Sequence, residues 1–179
     1  MPTRILLEGR PGAGKTTAVR RLAAMLHDRE ITGFTTEEIR DGGTRVGFAL
    51  ETLTGRREVL AHTGFPGPPR IGRYGVDLGV MERLALPPLR VATAHSAAPG
   101  PGLLVIIDEL GRMELACAAF RDTVSALFQA DVDVVATVHV HRDPFTDALK
   151  GRTDVELVHL TPANRDSLPH DLIRRLQTA

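Results

Sequence analysis

The chain has 179 residues, 42 % of them hydrophobic and 25 % charged, which suits one domain with a substantial core spanning residues 1–179. Its 22 lysines and arginines balance 22 aspartates and glutamates, so no strongly basic nucleic-acid surface is expected. A single cysteine, Cys117, excludes an intrachain disulfide and a thiolate metal cluster; no apolar stretch approaches a membrane span, and Glu8 cuts short the apolar run a signal peptide would need. The expected setting is a reducing cytoplasm with no membrane partner; a protein partner is left open.

In chain order, Arg4–Leu7 reads as a short buried strand running into a glycine-rich turn. From Lys15 to about Asp28, Val19, Leu22, Ala23 and Leu26 share one helical face. Residues 33–61 break into short β-prone runs separated by Asp41-Gly42-Gly43 and Thr54-Gly55, which predicts an inserted antiparallel meander of three strands. Residues 62–79, rich in glycine and proline, read as a surface loop. Met81 to about His95 reads as a helix interrupted at Pro87-Pro88, and Ala97–Gly102 as a break. Leu103–Ile107 is a continuous apolar run of the kind buried on both faces of a parallel sheet. Leu115, Ala119, Phe120, Val124, Leu127 and Phe128 recur with helical spacing, and Val132–Val140 and Val155–Leu160 read as further buried strands. Asp143-Pro144 and Thr161-Pro162 are helix starts, the second leading to a helix lined by Leu168, Leu172, Ile173 and Leu176. Strands alternating with helices predict an α/β domain with a mainly parallel sheet sandwiched by helices.

Gly9-Arg10-Pro11-Gly12-Ala13-Gly14-Lys15-Thr16 matches the phosphate-loop pattern G-x-x-x-x-G-K-[ST] between a strand and a helix. Glycines let successive N–H groups turn inward on phosphate oxygens, and the following helix adds its free N–H groups and positive dipole end. Only two lysines occur in this arginine-rich chain, Lys15 and Lys150. A lysine suits this position because a compact charge on a thin stem reaches the β- and γ-phosphates where a guanidinium fork would be too broad. Thr16 offers a hydroxyl to Mg²⁺.

Asp108 and Glu109 end the Leu103–Ile107 strand, at the edge where open parallel sheets bind ligands. Asp108 can hold Mg²⁺, and Glu109 can orient and deprotonate an attacking water. The same letters, Asp108-Glu109-Leu110-Gly111, fit the D-x-x-G of GTPases. Asn164-Arg165-Asp166, however, lacks the lysine and the spacing of a guanine-reading N-K-x-D. Weaker candidates are Arg40, Arg112 and Arg142 as an internal arginine finger and Glu37 and Glu38 on metal-bound water. His139 and His141 share one strand face, where packing outweighs metal binding; Asn164 and Arg165 could meet a base, and Tyr74 could stack on one or pack.

The stretches GRPGAGKTT (9–17), GFTTEEIR (33–40), RYGV (73–76), VIIDELGRMEL (105–115), FRDTV (120–124), VVATVH (134–139) and LTPANRD (160–166) together resemble one family. It is that of the small P-loop nucleoside-triphosphatases, which includes bacterial and archaeal thermophile enzymes and the human cancer-related enzyme. The resemblance implies a P-loop NTPase fold with a glutamate beside the Walker B aspartate. It also implies slow Mg²⁺-dependent hydrolysis of ATP, GTP and other nucleoside triphosphates. Carried over by position, Gly9, Arg10, Pro11, Gly12, Ala13, Gly14, Lys15, Thr16 and Thr17 form one nucleotide-binding stretch. Val105, Ile106, Ile107, Asp108, Glu109, Leu110, Gly111 and Arg112 form the second. Lys15, Glu109 and Arg40 are the expected catalytic residues, and Thr16 and Asp108 the metal ligands. Arg112 departs from the family's frequent lysine. A small-molecule or nucleotide kinase and a GTPase-like switch are the alternative readings.

Overall fold

Four consecutive apolar side chains, Leu104–Ile107, need cover on both faces of a sheet. The computed structural model describes residues 1–94 and 102–177 and supplies that cover. β1 (Arg4–Glu8), β2 (Ile31–Asp41), β7 (Leu104–Ile107), β8 (Asp133–Val138) and β9 (Glu156–His159) run parallel in the order β2-β7-β8-β1-β9. Successive residues of β7 enter opposite cores. Leu104 and Ile106 join Ile5, Leu7, Val19 and Leu22 under α1 (Lys15–Met25) and α7 (Leu168–Gln177). Val105 and Ile107 join Phe34, Leu84, Phe120 and Val124 under α3 (Leu86–Thr93) and α5 (Ala118–Leu127). This alternation produces the expected sandwich.

The meander is a continuation of this sheet and not a separate layer. β2 pairs with β7 through Ile31–Phe34 and then, over Phe34–Asp41, runs antiparallel to β3 (Thr44–Thr52), which pairs with β4 (Arg57–His62). Gly33 has φ of +120°, and a Cβ there would collide with the Ile106 carbonyl oxygen, so only glycine lets β2 lie this close to β7. The segment 62–79 is more than the loop expected: β5 (Arg70–Ile71) and β6 (Tyr74–Val76) add two more strands, completing nine among the described residues in the order β5-β6-β4-β3-β2-β7-β8-β1-β9. Tyr74, Gly75 and Val76 are buried there.

Two helix expectations change. Pro87-Pro88 does not interrupt the chain, which is helical through α2 (Leu78–Val80), a π-helical turn (Met81–Ala85) and α3. In the wide turn the Leu86 N–H donates to the Met81 carbonyl, and the prolines fall in the first turn of α3, where their missing N–H groups cost little. Thr161-Pro162 starts turns instead of a helix. The Asn164 amide accepts from Thr161 N at 2.8 Å and donates to His159 O at 2.8 Å, an Asx-type clasp that delays α7 until Leu168. The predicted start at Asp143 holds: its carboxylate caps α6 (Pro144–Lys150) by accepting from Phe145 N and Thr146 N. Of the expected break at Ala97–Gly102, only Gly102 lies within the described residues; His95 also lies outside them. Among the described residues no helix is long and apolar enough to cross a membrane.

Phe120 is fully buried, and its ring lies 5.9 Å from that of Phe34 on β2. Phe120→Ala should lower the free energy of unfolding by about 3–5 kcal/mol through the cavity it leaves, read as a shifted urea midpoint at unchanged slope.

Candidate active site

The loop between β1 and α1 turns on Gly12 and Gly14, with φ of +76° and +104°; Gly14 is the residue from which α1 starts. Lys15 is 7 % exposed. Its Nζ donates to the Gly9 carbonyl at 2.8 Å and the Arg10 carbonyl at 3.3 Å, so the loop's own backbone orients the ammonium. Glu109 Oε2 stands 3.8 Å from it.

Asp108 is 1 % exposed. Its carboxylate accepts from three threonines of three elements: Thr16 Oγ1 (α1) at 2.6 Å, Thr137 Oγ1 (β8) at 2.6 Å and Thr36 N (β2) at 3.4 Å. The register explains Thr137, since Ile107 opposite Ala136 brings the next residue on each strand together. Burial pushes the Asp108 carboxyl up, with the neighbouring Glu109 charge adding to it; the bonds from Thr137, Thr16 and Thr36 pull the other way.

Glu109 Oε1 meets His139 Nε2 at 2.6 Å, so this carboxylate sits between an imidazole and an ammonium. His139 follows β8 and stacks on His141 with ring centroids 5.9 Å apart; its carbonyl accepts from Lys150 Nζ at 2.8 Å, and Lys150 also pairs with Glu8. Glu114, on α4 (Arg112–Leu115), is 5 % exposed. Its carboxyl is pushed up to about 8, first by burial and then by the charges of Glu109 and Asp108. A Cβ added at Gly111 would lie 2.7 Å from Glu114 Oε2 and 2.8 Å from Glu109 Oε1, so a glycine is what fits between the two carboxyls.

Lys15, Thr16, Asp108, Glu109 and His139 open on one cleft of about 530 Å³, while Glu114 and Thr137 support it from behind without lining it. Pro11, Gly12, Gly14, Lys15, Thr16 and Thr17 line one wall, Asp108, Glu109 and His139 the floor, and Thr36, Glu37, Glu38, Arg45 and Phe48 of β2 and β3 the other wall.

Residues 4–173 match the sequence profile of the NTPase family. The chain belongs to the NTPase family. It is 40 % identical over 174 residues to the nucleoside-triphosphatase THEP1 of Thermotoga sp. (strain RQ2), covering 97 % of this chain and 95 % of that protein. To the human cancer-related nucleoside-triphosphatase it is 36 % identical over 191 residues, covering 100 % and 99 %. The crystal structure of THEP1 from the hyperthermophile Aquifex aeolicus matches with a TM-score of 0.86 at 34 % identity, covering 98 % of this chain and 99 % of that chain. This NTPase is therefore a nucleoside-triphosphate-hydrolysing enzyme on a P-loop α/β fold.

In this NTPase Lys15, Thr16, Asp108 and Glu109 meet where the motifs predict. Other expected residues stand elsewhere. Gly9 and Arg10 act through the carbonyls that hold Lys15, and Ala13 packs against the α1 core. Val105, Ile106 and Ile107 are fully buried in the sheet, so they carry Asp108 into place and do not face the cleft. Leu110 and Gly111 are buried too, and Arg112 is exposed; none of the three lines the cleft. Arg40 donates to Glu38 Oε2 through Nε and Nη2 and to the Gly43 carbonyl through Nη1, and it does not line the cleft either; Arg45 does. Arg142 is 94 % exposed and pairs with Asp147. Asn164 is occupied by its local clasp, and Tyr74 packs edge-on against Phe48. Thr36, Thr137, Glu114 and Arg45 are the residues that sequence reasoning missed. The legible signal for Thr137 was a lone hydroxyl inside an apolar strand, which needs a buried partner.

Glu114 gives this NTPase a pH signature. Between the ordinary 4.5 and about 8 the folded state holds a proton that the unfolded chain has released, so this group's contribution to stability falls as pH rises through that window. Glu114→Gln keeps the neutral shape without the titration. Its melting temperature relative to the wild type should therefore climb with pH from 4.5 to about 8. A difference flat with pH would mean that Glu114 is ionised in the folded protein.

Proposed function

We propose that this chain hydrolyses ATP, GTP and other nucleoside triphosphates to the diphosphate and phosphate in a Mg²⁺-dependent reaction, with residues 1–179 acting as one catalytic unit. The observation that carries this reading is the meeting of Thr16 and Asp108 at 2.6 Å, beside a Glu109 that shares the cleft with Lys15. The Thr16 hydroxyl and an Asp108 carboxylate oxygen are adjacent hard oxygens of the kind Mg²⁺ takes, with its remaining positions left to phosphate and water. Held by Thr16 and Asp108, Mg²⁺ would supply positive charge to offset the charge that develops on the phosphoryl oxygens.

The protein's own groups supply the rest. Backbone N–H groups of the phosphate loop and the α1 N-terminus cradle the phosphates. Lys15, released from the Gly9 and Arg10 carbonyls, donates to the β- and γ-phosphoryl oxygens. Glu109, held through Oε1 by His139, accepts a proton from the attacking water. The water oxygen bonds to the γ-phosphorus as the bond from phosphorus to the β–γ bridging oxygen breaks, and the electron pair leaves on the diphosphate. Positioning and electrostatics account for most of the rate. The local clasp on Asn164 supports broad base preference, because it occupies the amide that would read a base. A buried free thiol at Cys117 and the balanced charge support a cytoplasmic enzyme that does not act on nucleic acid.

Phosphate release from ATP, GTP, CTP and UTP, measured with Mg²⁺ and with chelator, tests the proposal. Release from several triphosphates should require Mg²⁺. Glu109→Gln should retain nucleotide binding and lose about 10²–10⁴-fold in kcat; wild-type turnover in that variant would remove Glu109 from the base role. Lys15→Ala should lose nucleotide binding, seen as a rise in Kd of at least about tenfold for the loss of one charge-assisted contact.

A further inference from the structure

The far wall of the cleft carries a cation that no motif announced. On β2 and β3, Glu38 lies opposite Phe48 and Ile39 opposite Gly47, but Arg40 then lies opposite Arg45, so the register skips Val46. In an unbroken ladder Val46 would face Arg40, and Arg45 would point away from Phe48. The bulge turns Arg45 onto the face shared by Thr36, Glu38 and Phe48. Among the described residues, Lys15 and Arg45 are the lysine and the arginine that line this cleft.

Arg45 is braced. Its guanidinium lies 5.2 Å from the Phe48 ring centroid, and its Nε donates to the Tyr74 hydroxyl at 3.1 Å. Tyr74 is 7 % exposed and sits edge-on to Phe48 at 5.4 Å. Arg73 bonds both that hydroxyl and the Arg45 carbonyl, which fixes backbone and side chain together. The remaining contact is with Glu38 Oε1 at 2.9 Å, and Arg40 holds the other oxygen of the same carboxylate. Glu38 is two residues beyond Thr36, whose N–H reaches Asp108. At the rise of a strand that is about 7 Å along the wall from the residue that touches Asp108, and Arg45, Asp108 and Glu109 line the same cleft.

We propose that Arg45 is the second phosphate-contacting cation of this site, exchanging Glu38 for the γ-phosphoryl oxygens of bound nucleoside triphosphate and stabilising the charge that builds there during hydrolysis. This rests on the hydrolase reading above. Tyr74 and Phe48 are its positioning residues, and Arg40 is the counter-ion that keeps Glu38 in place after Arg45 leaves. A planar fork braced on one side offers its terminal nitrogens to a phosphoryl group without a large ordering cost.

The test compares kcat, KM for ATP and GTP, and melting temperature in the wild type, Arg45→Ala, Arg45→Lys, Tyr74→Phe and Arg40→Ala. It is paired with the affinity of each for ADP alone and for ADP with Mg²⁺ and aluminium fluoride. Arg45→Ala should lose about 10²–10³-fold in kcat, the range for deleting one donor aimed at developing charge, with a smaller change in KM. It should bind ADP as the wild type does and lose the extra affinity conferred by aluminium fluoride. Arg45→Lys should recover little, Tyr74→Phe should lose kcat by several-fold with its fold intact, and Arg40→Ala should lose less than Arg45→Ala. Wild-type kcat in Arg45→Ala would overturn the proposal. So would a kcat loss that tracks a lowered melting temperature or lost ADP binding, or a larger loss in Arg40→Ala. A wild-type protein that releases no phosphate from any triphosphate would instead overturn the hydrolase reading itself.

Discussion

The site depends on one carboxylate. Asp108 is almost completely removed from water, and an unpaired charge in that position would cost on the order of several kcal/mol. Its oxygens are answered by Thr16 at the start of α1, Thr137 on β8 and the Thr36 amide on β2. One side chain at the end of β7 thereby ties together the phosphate loop, the neighbouring strand and the strand that leads into the antiparallel half of the sheet. The buried apolar residues of β7 hold Asp108 at that height, and the two cores hold β7.

The second constraint is charge. The cleft carries Glu37, Glu38, Asp108 and Glu109, and the lysine and arginine that line it already have partners: Lys15 is near Glu109 and Arg45 is on Glu38. On the proposed reading a polyanionic substrate would be accommodated by exchange of partners, Lys15 leaving the Gly9 and Arg10 carbonyls and Arg45 leaving Glu38 for phosphoryl oxygens. Glu114 fits the same logic from below. A further full negative charge beside Glu109 and Asp108 is disfavoured, so burial and neighbouring charge keep its carboxyl protonated up to about pH 8. The second lysine, Lys150, braces the other side by holding the His139 carbonyl and the Glu8 carboxylate just before the phosphate loop.

The readable parts of this architecture are local. The phosphate loop, the apolar β7 with its acidic end and the Asp143 cap are each written in a handful of adjacent residues, because a strand-to-helix turn or a cap is made by its own neighbours. The parts misread have two causes. Pro87-Pro88 looks like a helix breaker until the preceding π-helical turn places it at the start of α3. Residues 62–79 look like a loop until β4 offers an edge on which β6 can pair. Thr161-Pro162 looks like a helix start until the Asn164 amide clasps it to His159. The strand pairing is a contact made elsewhere in the chain, whereas the π-helical turn and the Asn164 clasp are local hydrogen bonds that the residue types alone did not announce.

The sequence alone determined the fold class, the phosphate-binding loop and the acidic pair Asp108-Glu109, since hydrophobic period and motif spacing are properties of neighbouring residues. Only the tertiary structure decided which distant side chains complete the cleft. Strand register chose Thr137 as the partner of Asp108, and a one-residue bulge turned Arg45 inward and left Arg40 on Glu38. The physical reason is the two-residue period of a strand: one skipped residue moves a side chain to the opposite face, and that slip is set by pairing between strands, which no single stretch of sequence contains.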